Sequence, residues 1–134
     1  MEQLDVLTHR KKKSATRLTR NSKIIKTIIA AIQDKKGEDI VSLDMRKINE
    51  AVADFFIICH ASNQPQIRAI SDNVMDKVRD LCDEKPYHHE GSNNLHWVLI
   101  DYVNVVVHVM LEENRKFYRL EEMWSDASVQ NHND

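Results

Sequence analysis

The chain predicts an α/β domain: a mixed β-sheet of about five strands with flanking helices, in the order α-β-β-α-β-β-β-α. Three features carry that expectation. Residues 96–102 (His-Trp-Val-Leu-Ile-Asp-Tyr) and 105–111 (Val-Val-Val-His-Val-Met-Leu) are rich in β-branched and apolar side chains, and only Val103 and Asn104 separate them, which reads as a hairpin. Residues 53–59 form a nearly continuous apolar run, the mark of a strand covered on both faces. Elsewhere apolar residues recur at steps of three and four, the helical period. A helix between the second and third strands permits a right-handed crossover, while the last strand pair is antiparallel, so the sheet is mixed.

Taken in order, residues 1–21 read as a basic flexible leader with little apolar content to fold around. Asn21 or Ser22 caps a helix to about Lys36 with Ile25, Ile28, Ile29 and Ile32 on one stripe; Lys35 and Lys36 suit its C-terminus and Gly37 its left-handed stop. Residues 39–44 make a short strand, 45–52 an irregular connection or helical turn, and 53–59 the buried strand. Ser62 opens the longest helix, to about Glu84, with Pro65 in its first turn, where the missing N–H costs nothing. Its apolar stripe is Ile67, Ile70, Val74, Val78 and Leu81. Residues 86–90 fit an edge strand, proline being tolerated at its start, and 91–94 fit a turn.

The hairpin is sorted by alternation. With Val103 and Asn104 as the turn, Tyr102 lies opposite Val105, Ile100 opposite Val107 and Val98 opposite Val109, an almost purely aliphatic face that must be core. The other face carries Trp97, Leu99, Asp101, Val106, His108 and Met110. We read that face as open, because charged groups rarely accept full burial unpaired. Asp101 and His108 are diagonal neighbours on it, and Trp97, Leu99 and Met110 make an apolar patch suited to a partner. Residues 112–124 read as a single helix with Phe117, Leu120 and Trp124 as its core stripe, Arg115 and Tyr118 freer to meet a partner, and Glu112 and Glu113 favourable at its N-terminus. Residues 22–126 are thus the expected domain and 127–134 a disordered tail.

Composition narrows the function. Of 19 basic and 21 acidic side chains, seven and two fall within residues 1–23, leaving 12 and 19 beyond, a net charge of −7. Such a body repels nucleic-acid phosphates and suits a basic protein partner. The 134 residues contain no apolar run of about 18 and no secretory pattern, and two isolated cysteines, Cys59 and Cys82, point to a reducing compartment, the cytoplasm by default. Gly91 and Ser92 followed by Asp101 have the look of a nucleotidyl-transfer layout, but Tyr102 and Val103 stand where the second acid should be, so two-metal chemistry lacks its ligands. His88, His89, Glu90, His96 and His108 show no regular zinc spacing. Cys59, Cys82 and Ser62 are better explained by packing and capping than as nucleophiles. No catalytic residue, cofactor or metal is assigned.

The ordered set of motifs resembles the ribosomal silencing factor, or Iojap, family. Its pieces are Leu43 and Asp44; Ala53, Asp54, Phe55, Phe56 and Ile57; Ser62 with Gln66; residues 69–74 (Ala-Ile-Ser-Asp-Asn-Val); Glu90 and Gly91; Trp97 to Tyr102; 105–108 (Val-Val-Val-His); Arg115, Phe117, Tyr118, Leu120, Glu121 and Trp124. They span about residues 24–126. Trp-x-x-x-Asp-Tyr, Val-Val-Val-His and Phe-Tyr-x-Leu-Glu-x-x-Trp at these spacings are the specific part. The chain departs from the family's usual Gly-Asp at Val103 and Asn104, where valine resists the positive φ that a tight hairpin turn prefers. The leader has no counterpart in the family core, and residues 87–89 match only loosely.

The resemblance implies a fold with a nucleotidyltransferase-like outline that lacks the catalytic acids. It implies binding to the large ribosomal subunit through ribosomal protein fourteen, a steric block to small-subunit joining, repressed translation, and a homodimer when free. Neither a membrane nor a sequence-specific nucleic acid is an expected partner. An acidic domain meeting a basic ribosomal protein would use an aromatic anchor, so the expected contact residues are Trp97, Leu99, Asp101, His108 and Met110, with Tyr102, Glu112 and Arg115 beside them. On that reading Asp101→Lys weakens subunit association and spares the fold. Two other classes compete: a degenerate nucleotidyltransferase-like enzyme, and a self-associating structural module.

Overall fold

The computed structural model describes residues 18–48 and 51–132. The leader assigned to residues 1–21 therefore lies mostly outside the described residues. Helix α1 (Lys23–Asp34) buries Ile24, Ile25, Ile28, Ala31 and Ile32 along one stripe. Its left-handed stop is Lys36, with φ of 64°, rather than Gly37. Gly37 serves a different need: its N–H returns to the Ile32 carbonyl at 3.0 Å, so close that a Cβ would stand 2.3 Å from Ile32 Cγ2.

Strand β1 (Glu38–Asp44) leads through the 45–54 connection into β2 (Phe55–Ala61), which is buried along its whole length. Helix α2 (Gln64–Cys82) follows, capped by Asn63 and not by Ser62: Asn63 Oδ1 accepts from the Gln66 N–H at 2.9 Å. It buries Ile67, Ile70, Val74 and Val78, whereas Leu81, expected on the same stripe, is exposed. Next come β3 (His88–Glu90), β4 (Trp97–Asp101) and β5 (Val105–Leu111).

The expected hairpin register holds. Val98 pairs with Val109 and Ile100 with Val107, and the Tyr102 N–H donates to the Val105 carbonyl at 2.9 Å. The sheet runs β3-β4-β5-β2-β1-β6, with β2 and β5 parallel and the other neighbours antiparallel. It thus has six strands, one more than expected. The addition is β6 (Ser128–Asn131), where the sequence suggests a disordered tail. All four of its residues are exposed, so hydropathy carries no trace of it. It is held by backbone pairing to β1 and by polar side chains: Arg20 reaches Gln130 at 2.5 Å and Ser128 at 3.0 Å, Ser42 meets His132 at 2.8 Å, and Gln33 meets the His132 carbonyl at 2.9 Å.

Alternation divides the sheet between two cores. One joins Phe55, Ile57, Val98, Ile100, Tyr102, Val105, Val107 and Val109 to α1 and α2. The other joins Phe56, Ile58, Trp97, Leu99, Val106 and Met110 to Met45, Ala51 and Ala53 of the connection and to Leu120 and Ala127 near the C-terminus, with Tyr118 and Trp124 packed against them. The expectation of one open sheet face is therefore corrected: both faces are covered.

The cover on the second face depends on a break. In place of one helix over residues 112–124 there are two short ones, α3 (Glu112–Tyr118) and α4 (Leu120–Met123), separated by Arg119 with φ of 50°. The break resets the helical phase, turning Leu120 inward at 1% exposure and leaving Phe117 outside at 78%. Phe117 thus leaves the expected core stripe, while Arg115 and Tyr118, expected outside, turn inward.

Candidate partner-binding surface

Trp97 begins β4 and is 3% exposed. Its indole Nε1–H donates to Nδ1 of His108 across the hairpin at 3.0 Å, and its ring packs on Tyr118 with centroids 4.9 Å apart. On the far side of His108 lies Phe56, 4.6 Å away, and Phe56 in turn meets Trp124 edge-on at 5.9 Å. Because Nδ1 accepts, the neutral imidazole carries its proton on Nε2, which is buried with no hydrogen-bond partner among the described residues. Burial drives the His108 pKa down to about 3, so the ring is neutral at physiological pH. Leu99 and Met110 are buried in the same core.

Asp101 is fully buried, and its Oδ1 accepts the Val103 N–H at 2.7 Å. That bond braces a turn in which Val103 takes φ of 72°, the conformation its β-branched side chain resists. The Asn104 carbonyl then accepts from the N–H groups of Asp54 (2.9 Å) and Phe55 (3.2 Å), tying the turn to β2. Tyr102 belongs to the opposite core, and burial pushes the pKa of its phenol up.

Seven of the eight expected contact residues are therefore buried: Trp97, Leu99, Asp101, Tyr102, His108 and Met110 in the interior, and Arg115 at 9% exposure in the wall of a cleft. The physical reason is that Asp101 and His108 find internal donors, a turn amide and an indole, so their polarity does not require an open face. Asp101→Lys then strikes the hairpin turn before any partner, and sparing of the fold is no longer its expected outcome.

Glu112 and Arg115 do reach the surface region, in a cleft of about 580 Å³ between α3, α4, β1 and the end of β2. Arg115 is largely buried and organises it. Its Nη1 donates to the Asp39 carbonyl at 2.6 Å and to His60 Nδ1 at 3.0 Å, and its Nη2 pairs with Glu121 at 3.0 Å. Lys116 pairs with Glu112 at 3.0 Å, holding that carboxyl below its usual range, and Arg119 pairs with Glu122 at 3.6 Å. The cleft's charges are thus largely neutralised in place. A lone histidine at a strand end gives no signal in the sequence, so His60 was not foreseen as part of this cluster. Among the described residues no three His, Cys, Asp or Glu side chains are placed to hold a metal ion, and His88 pairs with Glu90 at 2.8 Å. No described helix is long and apolar enough to cross a membrane.

The sequence profile of the family described as ribosomal silencing factor during starvation matches residues 19–134. The chain belongs to that family. It is 41% identical over 109 residues to the ribosomal silencing factor of Bacillus subtilis, covering 79% of this chain and 88% of that one. It is 35% identical over 105 residues to the chloroplastic Iojap protein of Zea mays, covering 76% of this chain and 43% of the plant protein. Among solved structures, a Chromobacterium violaceum protein superposes with a TM-score of 0.72 at 33% identity over 76% of this chain and 83% of its own, and a Bacillus halodurans protein with 0.67 at 36% over 78% and 95%. These family neighbours share the mixed α/β fold.

Proposed function

We propose that this chain silences ribosomes by binding the large ribosomal subunit through ribosomal protein fourteen, on the face that meets the small subunit, so that joining is blocked and translation falls. The observation that carries the reading is the family match over residues 19–134, which takes in the whole described domain. The net charge of −7 beyond residue 23 favours encounter with a basic ribosomal protein. The block is steric and needs no bond-making step; the protein acts in the cytoplasm and is a homodimer when free.

In this reading the eight residues divide the work. Glu112 and the rim of Arg115 contribute to the contact surface, while Trp97, Leu99, Asp101, Tyr102, His108 and Met110 hold α3 and the hairpin in shape beneath it. The test is co-sedimentation with isolated large subunits, followed by addition of small subunits. The expected result is co-sedimentation and loss of joined ribosomes; normal joining in a saturating excess of the protein would overturn it.

A further inference from the structure

Phe117 is 78% exposed, the most exposed of the large hydrophobic side chains among the described residues. A single apolar side chain in water is ordinary by itself. This one differs in how it is held. Its ring meets Tyr118 edge-on, with centroids 4.9 Å apart and planes at 83°, and Tyr118 packs at 4.9 Å on Trp97, which the core fixes through His108. The exposed ring thus has one edge against a chain of aromatic rings rooted in the sheet, a contact that favours one setting of the ring before a partner arrives.

Its neighbours supply charge. One helical turn earlier on α3, Glu113 shares the face of Phe117, since residues four apart lie one above the other. Glu112, Glu121 and Glu122 are each paired with Lys116, Arg115 and Arg119 respectively. Glu113 is exposed and enters no ion pair among the described residues, which leaves a carboxylate available beside an aromatic face. An aromatic ring with an adjacent unpaired carboxylate suits a guanidinium or ammonium group: the cation lies over the ring, and the carboxylate neutralises it.

We propose that the face of α3 bearing Glu113 and Phe117 is the anchor for a basic protein surface, taking an arginine or lysine side chain over the Phe117 ring with Glu113 as its counter-ion. The proposal rests on the reading above, in which the partner is a basic protein of the large subunit, and names where on this chain that partner sits. Charge complementarity selects the occupant: the body of a second copy, residues 24–134 with a net charge of −7, would bring like charge to the same acidic spot.

The test compares the wild type with Phe117→Ser, Phe117→Trp and Glu113→Lys in co-sedimentation with isolated large subunits, with thermal melts to establish that each variant is folded. Both residues are exposed, so melts close to wild type are expected. Phe117→Ser and Glu113→Lys should each weaken binding about tenfold, while Phe117→Trp, which keeps the π face, should bind as well as wild type or better. If wild type binds and Phe117→Ser and Glu113→Lys bind equally well, or if Phe117→Trp fails as badly as Phe117→Ser, the anchor is refuted while the ribosomal reading stands. Phe117→Ser abolishing self-association with subunit binding intact would refute it too, assigning the face to a second copy. Wild type that ignores large subunits overturns both.

Discussion

Trp97 and His108 form a donor–acceptor pair across the β4–β5 hairpin, indole Nε1–H to imidazole Nδ1 at 3.0 Å, inside the core between the sheet and the C-terminal helices. The bond explains how a tryptophan and a histidine share a buried face. Trp97→Phe keeps most of the ring and removes the donor, leaving a buried acceptor empty at a cost of about 1–3 kcal/mol. In a urea-unfolding double-mutant cycle with His108→Leu, a coupling of about 1 kcal/mol is expected. Zero coupling would show that the bond does not stabilise the fold.

His108 should also make stability depend on pH. Burial lowers its folded pKa from the ordinary 6.5 to about 3, so between those values the unfolded chain binds a proton that the folded chain refuses. The stability is fully present above pH 6.5 and is lost progressively as pH falls toward 3. The slope contributed is at most about 1.4 kcal/mol per pH unit, the value for one proton. His108→Gln, whose amide oxygen can still accept from the indole, should remove that part of the slope in melts from pH 7 to pH 4. A variant with the wild-type slope would place the titration elsewhere, with His132, whose pKa is also lowered by burial, next to be examined.

Val103 holds a φ of 72°, supported by the Asp101 carboxylate on its amide. A β-branched residue there is strained by about 1–2 kcal/mol, and glycine relieves this at an entropic cost of roughly 0.5–1 kcal/mol. Val103→Gly is expected to stabilise the domain by about 0.5–1 kcal/mol, read as a higher urea midpoint at unchanged slope. A lower midpoint would mean that the valine side chain contributes packing worth more than the strain.

Arg115 joins α3 to β1, β2 and α4 through Asp39, His60 and Glu121. Lysine retains the charge but cannot present the same planar fork, so Arg115→Lys should cost roughly 2–3 kcal/mol. Amide hydrogen exchange should quicken in α3 and α4 before the sheet. Uniform exchange across the domain would show that these helices are held by packing alone.

Much of the sheet was legible because alternation is a local property. Val98, Ile100, Val107 and Val109 lie on one face and Trp97, Leu99, His108 and Met110 on the other, in the register that a two-residue turn implies. Strand β6 was not legible, because its exposed Ser-Val-Gln-Asn is held by a neighbour's backbone and by side chains far away in the chain. The helix break at Arg119 left no glycine or proline to announce it, and it exchanged the positions expected of Phe117 and Arg115.

The sequence by itself determined which side chains leave water together, how the central hairpin pairs, and which family the chain resembles. Only the tertiary structure decided what covers the Trp97 face and which residues remain for a partner. Periodicity records the side of an element on which a residue lies. Whether that side meets solvent depends on residues distant in sequence, here Met45, Ala51, Ala53 and Leu120, and on whether each polar atom finds its complement when they arrive.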